Sequence, residues 1–211
     1  MEKVWEFMND GAPFSFVNVA ILAFVIAIIV DRFVHILSKH QVNGEEFMAQ
    51  IRKLVQAGNI DRAIKLCEAA PLPLLQVVKA GLTQVNRGED AIIANMEERM
   101  SEVIPSLEKR IGTLWGLANI ATLVGLLGTI SGLIRSFQAV AFAEPAQKSA
   151  LLSRGISEAM YNTALGLGIA VFCMIAHIIL HTRAKAIQHD LEGTMERTFN
   201  MLTITQRPGQ Y

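Results

Sequence analysis

Three apolar segments, each long enough to cross a bilayer, constrain this chain more than any other feature of its sequence. They run over residues 14–37, 112–143 and 156–180, and a transmembrane helix needs about 20 apolar residues. The mean hydropathy of +0.36 over 211 residues is typical of a few membrane spans joined to a water-exposed part. The sequence therefore predicts an all-α membrane protein with three transmembrane helices.

The distribution of basic residues predicts the side of the membrane on which each connecting segment lies. Of the 19 Lys and Arg residues, 11 lie between Arg32 and Arg110 and four lie from Arg183 onward. Basic flanks are typical of the cytoplasmic side, so the N-terminus is expected outside and the C-terminus inside. The predicted order is an outer (periplasmic) tail (1–13), span one (14–37), a cytoplasmic helical domain (38–111), span two (112–143), an outer loop (144–155), span three (156–180) and a cytoplasmic helical tail (181–211).

Helical periodicity also fills the segments between the spans. Apolar residues recur at helical spacing over residues 45–57, and Gly58-Asn59 breaks the pattern before it resumes at Asp61. Over residues 91–143 no strong stop signal occurs, and Pro105 is the only breaker in the polar part, where it should kink the helix. Spans two and three are therefore expected to extend into a cytoplasmic helical bundle.

Spans two and three each carry a stripe of small and hydroxylated residues. The members of each stripe recur at spacings of three and four residues, which puts them on a single side of the helix. Such a stripe indicates either close packing against another helix or a polar conduit, and two stripes with an acid nearby favour the conduit. Span one carries no such stripe and is expected to face lipid. The first stripe is Ala118, Thr122, Gly125, Thr129, Gly132 and Ser136, and the second is Gly155, Ala159, Thr163, Gly166, Ala170, Cys173 and His177.

Three stretches of the sequence resemble one known family. Residues 121–141, ATLVGLLGTISGLIRSFQAVA, resemble the second-span signature of the ExbB/TolQ/MotA proton-channel family. Residues 155–167, GISEAMYNTALGL, resemble its third-span signature, and the run GNIDRAIKLCEAAP at residues 58–71 resembles its cytoplasmic helical hairpin. Three spans rather than four indicate the ExbB and TolQ type rather than the MotA type.

This resemblance implies a homo-oligomer, a pentamer around a central pore, with a single-span partner of the ExbD or TolR type that carries a proton-binding aspartate. It implies a location in the bacterial inner membrane, where proton flow drives motion that is passed to the cell envelope. By resemblance, Thr129 and Thr163 match the family's pore-facing threonines and Glu158 matches the acid near them. Thr122 stands where the family commonly has a proline, which implies a straighter or differently bent span.

The residues themselves indicate a proton pathway that one chain leaves incomplete. Thr122, Thr129 and Ser136 stand seven residues apart, about 10 Å per step along a helix, a distance that suits water molecules between the hydroxyls. Glu158, near the outer end of span three, is the only acid in spans two and three, so a partner must supply any carboxylate at mid-membrane. With Thr163, these residues are the predicted pathway.

The predicted function is that of a stator subunit that converts proton-motive force into mechanical work. The machine it drives stays open between TonB-type uptake, Tol-type envelope maintenance and gliding motility. A non-conducting oligomeric scaffold is the alternative, in which the stripes serve packing only. A solute transporter is disfavoured because three spans without an internal repeat do not fit that class.

Other classes of function have no motif in their favour. The sequence has no phosphate loop, no catalytic-triad spacing and no dinucleotide motif, so we expect no enzyme and no cofactor. Net charge is +0 and no basic patch interleaves with aromatics, so no nucleic-acid partner is expected. Cys67 is expected to be a buried core residue without a disulfide. His177 and His181 stand one helical turn apart, too few ligands for a metal, and are expected near the inner interface, where they stay candidates for proton exit.

Overall fold

The structure is a computed structural model that describes residues 13–40, 44–70 and 72–206. Within these ranges the fold consists of α-helices and one 3₁₀ turn, without strands. Three helical segments are long and apolar enough to cross a membrane, as predicted. The predicted outer tail, except for residue 13, lies outside the described residues. The helices are α1 (Phe14–His40), α2 (Gly44–Gln56), α3 (Ile60–Cys67), α4 (Pro73–Thr83), α5 (Glu89–Glu108), α6 (Ile111–Ala141) and α7 (Pro145–Gln206), with a 3₁₀ turn at Val85–Arg87.

The described chain forms two compact units. The first takes in the described residues up to Arg32 together with Arg110–Leu180. The second takes in Phe33–Lys109 and the described residues from His181 onward. The first unit therefore contains most of α1, all of α6 and the first part of α7. Which residues lie in lipid, and which side of the membrane each terminus faces, stay predictions.

In the first unit, α1 has one inward face and one outward face. Val25 and Ile28 are buried, and so are the polar residues Ser15 and Asn18. Large apolar side chains such as Phe24 cover the outward face of the helix. One face of span one therefore packs into the unit through polar and apolar residues at helical spacing, and that the outward face meets lipid stays a prediction.

The second unit is a bundle in which α2 to α5 pack around buried aliphatic residues. Ile51, Leu75 and Ile92 are fully buried there. A Cβ on Gly81 would lie 2.6 Å from Sδ of Met96, so α4 and α5 approach closely at that glycine. The second half of α7 belongs to the same unit and contributes buried Leu191 and Leu202.

Burial and ion pairing shift the pKa values of two neighbouring side chains of this bundle, Cys67 and Glu68. Cys67 is 3% exposed, which confirms its prediction as a core residue. Burial raises the pKa of its thiol to about 11, so the residue is a poor nucleophile. The hydrogen bond that Lys79 Nζ donates to Glu68 Oε1, 2.7 Å long, holds the pKa of that carboxyl below its usual range.

Glycines end the short helices where the sequence predicts a break. Gly58 has φ +72° and Gly88 has φ +97°, a backbone region that glycine adopts at no steric cost. The break predicted at Gly58-Asn59 is thereby confirmed, and α3 begins at Ile60 while α5 begins at Glu89, directly after Gly88.

Two expectations about helix ends are wrong. Residues 91–143 do not form one helix kinked at Pro105: α5 continues past the proline to Glu108, and the break falls at Lys109-Arg110, where Arg110 adopts φ 64°. The segment 144–155, expected as a loop, is helical from Pro145. Proline is favoured at the first position of a helix because its fixed φ suits that position and its missing N–H has no partner there anyway.

Arg110 provides a test of the break between α5 and α6. A left-handed conformation costs a residue with a Cβ about 1 kcal/mol, and glycine avoids that cost. Arg110→Gly and Arg110→Ala both remove the ion pair of Arg110 with Asp31. In this pair Nη1 of Arg110 lies 3.3 Å from Oδ2 of Asp31, and both side chains are about half exposed. We therefore expect the glycine variant to be more stable than the alanine variant by about 1 kcal/mol, seen as a higher Tm of the detergent-purified protein. Equal Tm values would show that the left-handed break does not exist.

Candidate functional site

The two small-residue stripes lie against each other at the contact between α6 and α7. A Cβ on Gly125 would lie 2.9 Å from the carbonyl oxygen of Asn162, and a Cβ on Gly166 would lie 2.6 Å from that of Ala121. Further along, a Cβ on Gly132 would lie 2.9 Å from Cβ of Ala159. Such distances are shorter than real Cβ contacts allow, so the helices approach this closely only because the residues are small.

The sequence left two roles open for the stripes, close packing against another helix and a polar conduit. Close packing accounts for much of both stripes. Ala118 and Ala159 are buried at this contact side of their helices, as are Ala170 and Cys173. The outward faces carry large exposed side chains, among them Leu123 and Val171. Whether the hydroxyls of the stripes also line a pore stays a prediction.

Two threonines bring their hydroxyls together across this contact. Thr129 Oγ1 and Thr163 Oγ1 are hydrogen-bonded partners, 34 residues apart in sequence and both only partly buried. Both hydroxyls also reach the carbonyl oxygen of Gly125, at 3.1 Å from Thr129 and 3.4 Å from Thr163. The structure thus joins two of the predicted pathway residues in one polar cluster, the threonine pair.

The threonine pair has two alternative proton arrangements. Each hydroxyl has one proton to donate and lone pairs with which to accept. Either Thr129 donates to the Gly125 carbonyl and accepts from Thr163, or Thr163 donates to that carbonyl and accepts from Thr129. Rotation of both hydroxyls exchanges the two arrangements. The pair can therefore relay a hydrogen bond, but it needs another group to take up a proton.

Thr122 and Ser136 lie elsewhere on the same stripe. Thr122 Oγ1 donates to the carbonyl oxygen of Ala118 at 3.1 Å, and Ser136 Oγ donates to that of Gly132 at 2.7 Å. Ser136 is 8% exposed and lies against Gly155 of α7. Both hydroxyls are thus engaged with their own helix, a common arrangement for Ser and Thr in apolar helices.

Glu158, the predicted acid, forms an ion pair one turn along α7. Arg154 Nε donates to Glu158 Oε1 at 2.7 Å, and the side chain of Glu158 is 29% exposed while that of Arg154 is 72% exposed. Five residues separate Glu158 from Thr163, about 7.5 Å along the helix axis. The acid is therefore near the threonine pair along the helix without being joined to it by a described hydrogen bond.

Sequence reasoning missed a second polar cluster, formed by α1 and α7. Ser15 Oγ donates to Asn162 Oδ1 at 2.6 Å, across 147 positions of sequence. Asn162 is 3% exposed and packs on Gly128 of α6, where a Cβ would lie 2.8 Å from its own Cβ. The available signal was the spacing of Ser15 and Asn18 within an otherwise apolar span, which puts them on one face of the helix.

His177 lies against the backbone and an aromatic ring of α6. Its Nδ1 lies 3.0 Å from the carbonyl oxygen of Ile111, and its ring centroid lies 6.2 Å from that of Trp115. These contacts join the first two turns of α6 to α7. They lie near Arg110, at one end of the first unit.

The fold and the site together define a membrane protein built on close-packed helices with a hydroxyl cluster inside. The model of the MotA/TolQ/ExbB proton channel family matches residues 69–193, which is more than half of the chain and includes both stripes. The chain therefore belongs to the MotA/TolQ/ExbB proton channel family.

Individual relatives agree with this assignment. The chain is 35% identical over 114 residues to the Tol-Pal system protein TolQ of Haemophilus influenzae, covering 52% of this chain and 50% of that protein. It is 27% identical over 179 residues to a putative biopolymer transport protein ExbB-like 3 of Synechocystis, covering 82% of this chain and 84% of that protein. It is 36% identical over 107 residues to biopolymer transport protein exbB1 of Vibrio cholerae, covering 51% and 45%. The chain thus spans about half the length of TolQ and exbB1 and most of the ExbB-like protein.

The close approach of α6 and α7 predicts unequal effects of alanine at two glycines of α7. A Cβ at Gly166 meets backbone atoms of Ala121 and Gly125, which cannot move aside, whereas a Cβ at Gly168 has no atom within 4 Å. We expect Gly166→Ala to destabilise the protein by about 1–3 kcal/mol through overpacking, and Gly168→Ala to have no destabilising effect. Thermal unfolding in detergent measures the difference, and equal Tm values for both variants would contradict the described packing.

Proposed function

We propose that this chain is the stator subunit of a proton-driven motor in the bacterial inner membrane. With a single-span partner of the ExbD or TolR type, it converts proton-motive force into mechanical work on envelope or motility machinery. Family membership supports the proton-channel part of this proposal. The relatives named TolQ and ExbB support the class of partner. Tol-type, TonB-type and gliding machines are all compatible with it.

The threonine pair is the observation that carries the proposal. Thr129 and Thr163 form a partly buried hydroxyl cluster between the predicted second and third spans, which are mainly apolar. Hydroxyls hold water and pass on hydrogen bonds in an apolar setting, but they do not themselves carry a proton across the membrane at ordinary pH. Glu158 is the only acid in the predicted spans two and three. The carboxylate that takes up the proton at mid-membrane is therefore supplied by the partner, an aspartate opposite the pair.

The same proposal includes a ring of identical subunits, a pentamer, with the partner helix in its centre. Three helices do not enclose a pore. Exposed apolar side chains on the outward faces of α6 and α7, such as Ile130 and Ile175, offer surface for neighbouring copies as well as for lipid. In this arrangement α6 and α7 line the ring, the N-terminus lies in the periplasm and the C-terminus in the cytoplasm.

A non-conducting scaffold is the second candidate, and one observation favours it. Thr122, Thr129 and Ser136 all donate to carbonyls of their own helix, so packing and local hydrogen bonds alone satisfy these groups. The two candidates differ in proton flux: the scaffold passes no protons, whereas the channel passes protons and loses flux when a pathway hydroxyl is removed and packing is kept.

Thr163→Val keeps the shape of the side chain and removes its hydroxyl. Loss of one hydrogen bond of about 1 kcal/mol on the pathway predicts a roughly fivefold fall in proton flux, with the oligomer still assembled. Flux is measured in proteoliposomes that contain the complex with its partner. Thr203→Val is the matched control, because Thr203 lies on the same helix, is partly buried and donates to the carbonyl of Phe199 at 3.1 Å. Flux that Thr163→Val leaves unchanged would show that this hydroxyl is not on the pathway, and flux no higher than that of empty liposomes in wild type and variant would favour the scaffold.

Glu158 gathers protons at the mouth of the pathway or binds the partner helix. Glu158→Gln keeps the size of the side chain and removes its charge and its ion pair with Arg154. Because Arg154 is mostly exposed, the loss of the pair itself should cost less than about 1 kcal/mol of stability. We expect proton flux to fall more in Glu158→Gln than in Glu144→Gln, whose carboxylate is exposed between α6 and α7. Equal flux in the two variants would remove the special role of Glu158.

A further inference from the structure

Asn18 has a buried side chain whose amide group has no hydrogen-bond partner in the described part of the chain. The residue is 0% exposed, and neither Oδ1 nor Nδ2 finds a hydrogen-bond partner among the described residues. A carboxamide taken out of water without hydrogen bonds costs several kcal/mol in an apolar medium. Buried polar groups in folded proteins are therefore almost always bonded, to protein or to ordered water.

The surroundings of Asn18 on α1 are polar. Ser15 lies three residues earlier on the same face of α1, is 1% exposed and donates to Asn162 Oδ1 at 2.6 Å. The rise between Ser15 and Asn18 is about 4.5 Å along the helix axis, which is a distance that a single bridging water spans. Ser15 Oγ still has lone pairs with which to accept a hydrogen bond. An internal water needs two to four polar partners, and these side chains offer them.

We propose that Asn18 binds at least one internal water, in a buried polar site that it forms with Ser15 and Asn162. The water donates to Asn18 Oδ1 or accepts from its Nδ2, and Ser15 Oγ accepts a second bond. This gives α1 a hydrated polar site in the interior of the first unit. Asn162 directly precedes Thr163 on α7, so the site lies one residue from the threonine pair. The proposal does not depend on whether the chain conducts protons.

Water fits the site better than the other possible ligands. Asn18 is fully covered within a single chain, so neither a lipid nor a neighbouring subunit reaches its amide. The three side chains are neutral, whereas cations in proteins are held chiefly by carboxylates together with several further oxygens. A neutral ligand that both donates and accepts matches a carboxamide with both of its groups unbonded.

Water-edited solid-state NMR of the protein in lipid bilayers, labelled uniformly with ¹³C and with ¹⁵N at Asn and Val, tests the proposal. Asn200 is exposed in the second unit and serves as the wet reference, and Val25, 0% exposed on α1, serves as the dry reference. We expect transfer from water to the Asn18 side-chain nitrogen to build up at a rate closer to that of Asn200 than to that of the Val25 amide. Asn18→Leu assigns the signal by its loss, but the wild-type measurement stands without the variant.

Two results would overturn the proposal. One is transfer from water to the Asn18 side-chain nitrogen that builds up as slowly as transfer to the Val25 amide, which would mean that no water contacts the Asn18 amide. The other is a direct hydrogen bond from the Asn18 side chain to a protein group, seen as a nitrogen–carbon correlation with another residue of this chain or of a partner.

Discussion

The contact between α6 and α7 is the interaction on which the rest of the first unit depends. Gly125 and Gly166 bring the two backbones so close that a single added methyl group would overlap a carbonyl oxygen or a Cα atom. In an apolar medium no hydrophobic driving force holds helices together, so van der Waals packing of small residues and hydrogen bonds must do so. The glycines therefore set the distance at which every other group of the contact operates.

That distance determines what the hydroxyls can do. Thr163 reaches Thr129 and the Gly125 carbonyl because the helices are this close, and Thr129 reaches the same carbonyl within its own helix. The close approach of the helices that the glycines allow thus also creates the polar cluster. Packing by small residues and clustering of hydroxyls are therefore compatible roles of the same stripes. A cluster of hydroxyls without a titrating group can pass on hydrogen bonds but cannot take up a proton at ordinary pH. Glu158, paired with Arg154 one turn away, lies outside the cluster, which is why the proposed function needs a partner chain.

Much of this architecture was predictable from the sequence, for physical reasons that are local. Apolar length predicts the spans, and the breaks at Gly58 and Gly88 follow from the freedom of glycine at positive φ. The break at Arg110 has no such signal, because an arginine with φ 64° is held by its surroundings rather than by its own preference. The contact of Ser15 with Asn162 joins residues 147 positions apart, and helical periodicity carries no information about which faces meet.

The most direct test of the central claim is proton flux through the isolated oligomer compared with the complex. Purified subunit is reconstituted into liposomes alone, with the single-span partner, or with a partner whose membrane aspartate is replaced by asparagine, and acidification is followed under an imposed potential. We predict flux only for the complex with the intact aspartate. Robust flux through the oligomer alone would show that this chain has its own proton carrier, and would contradict the claim that its threonine pair needs a carboxylate from a partner.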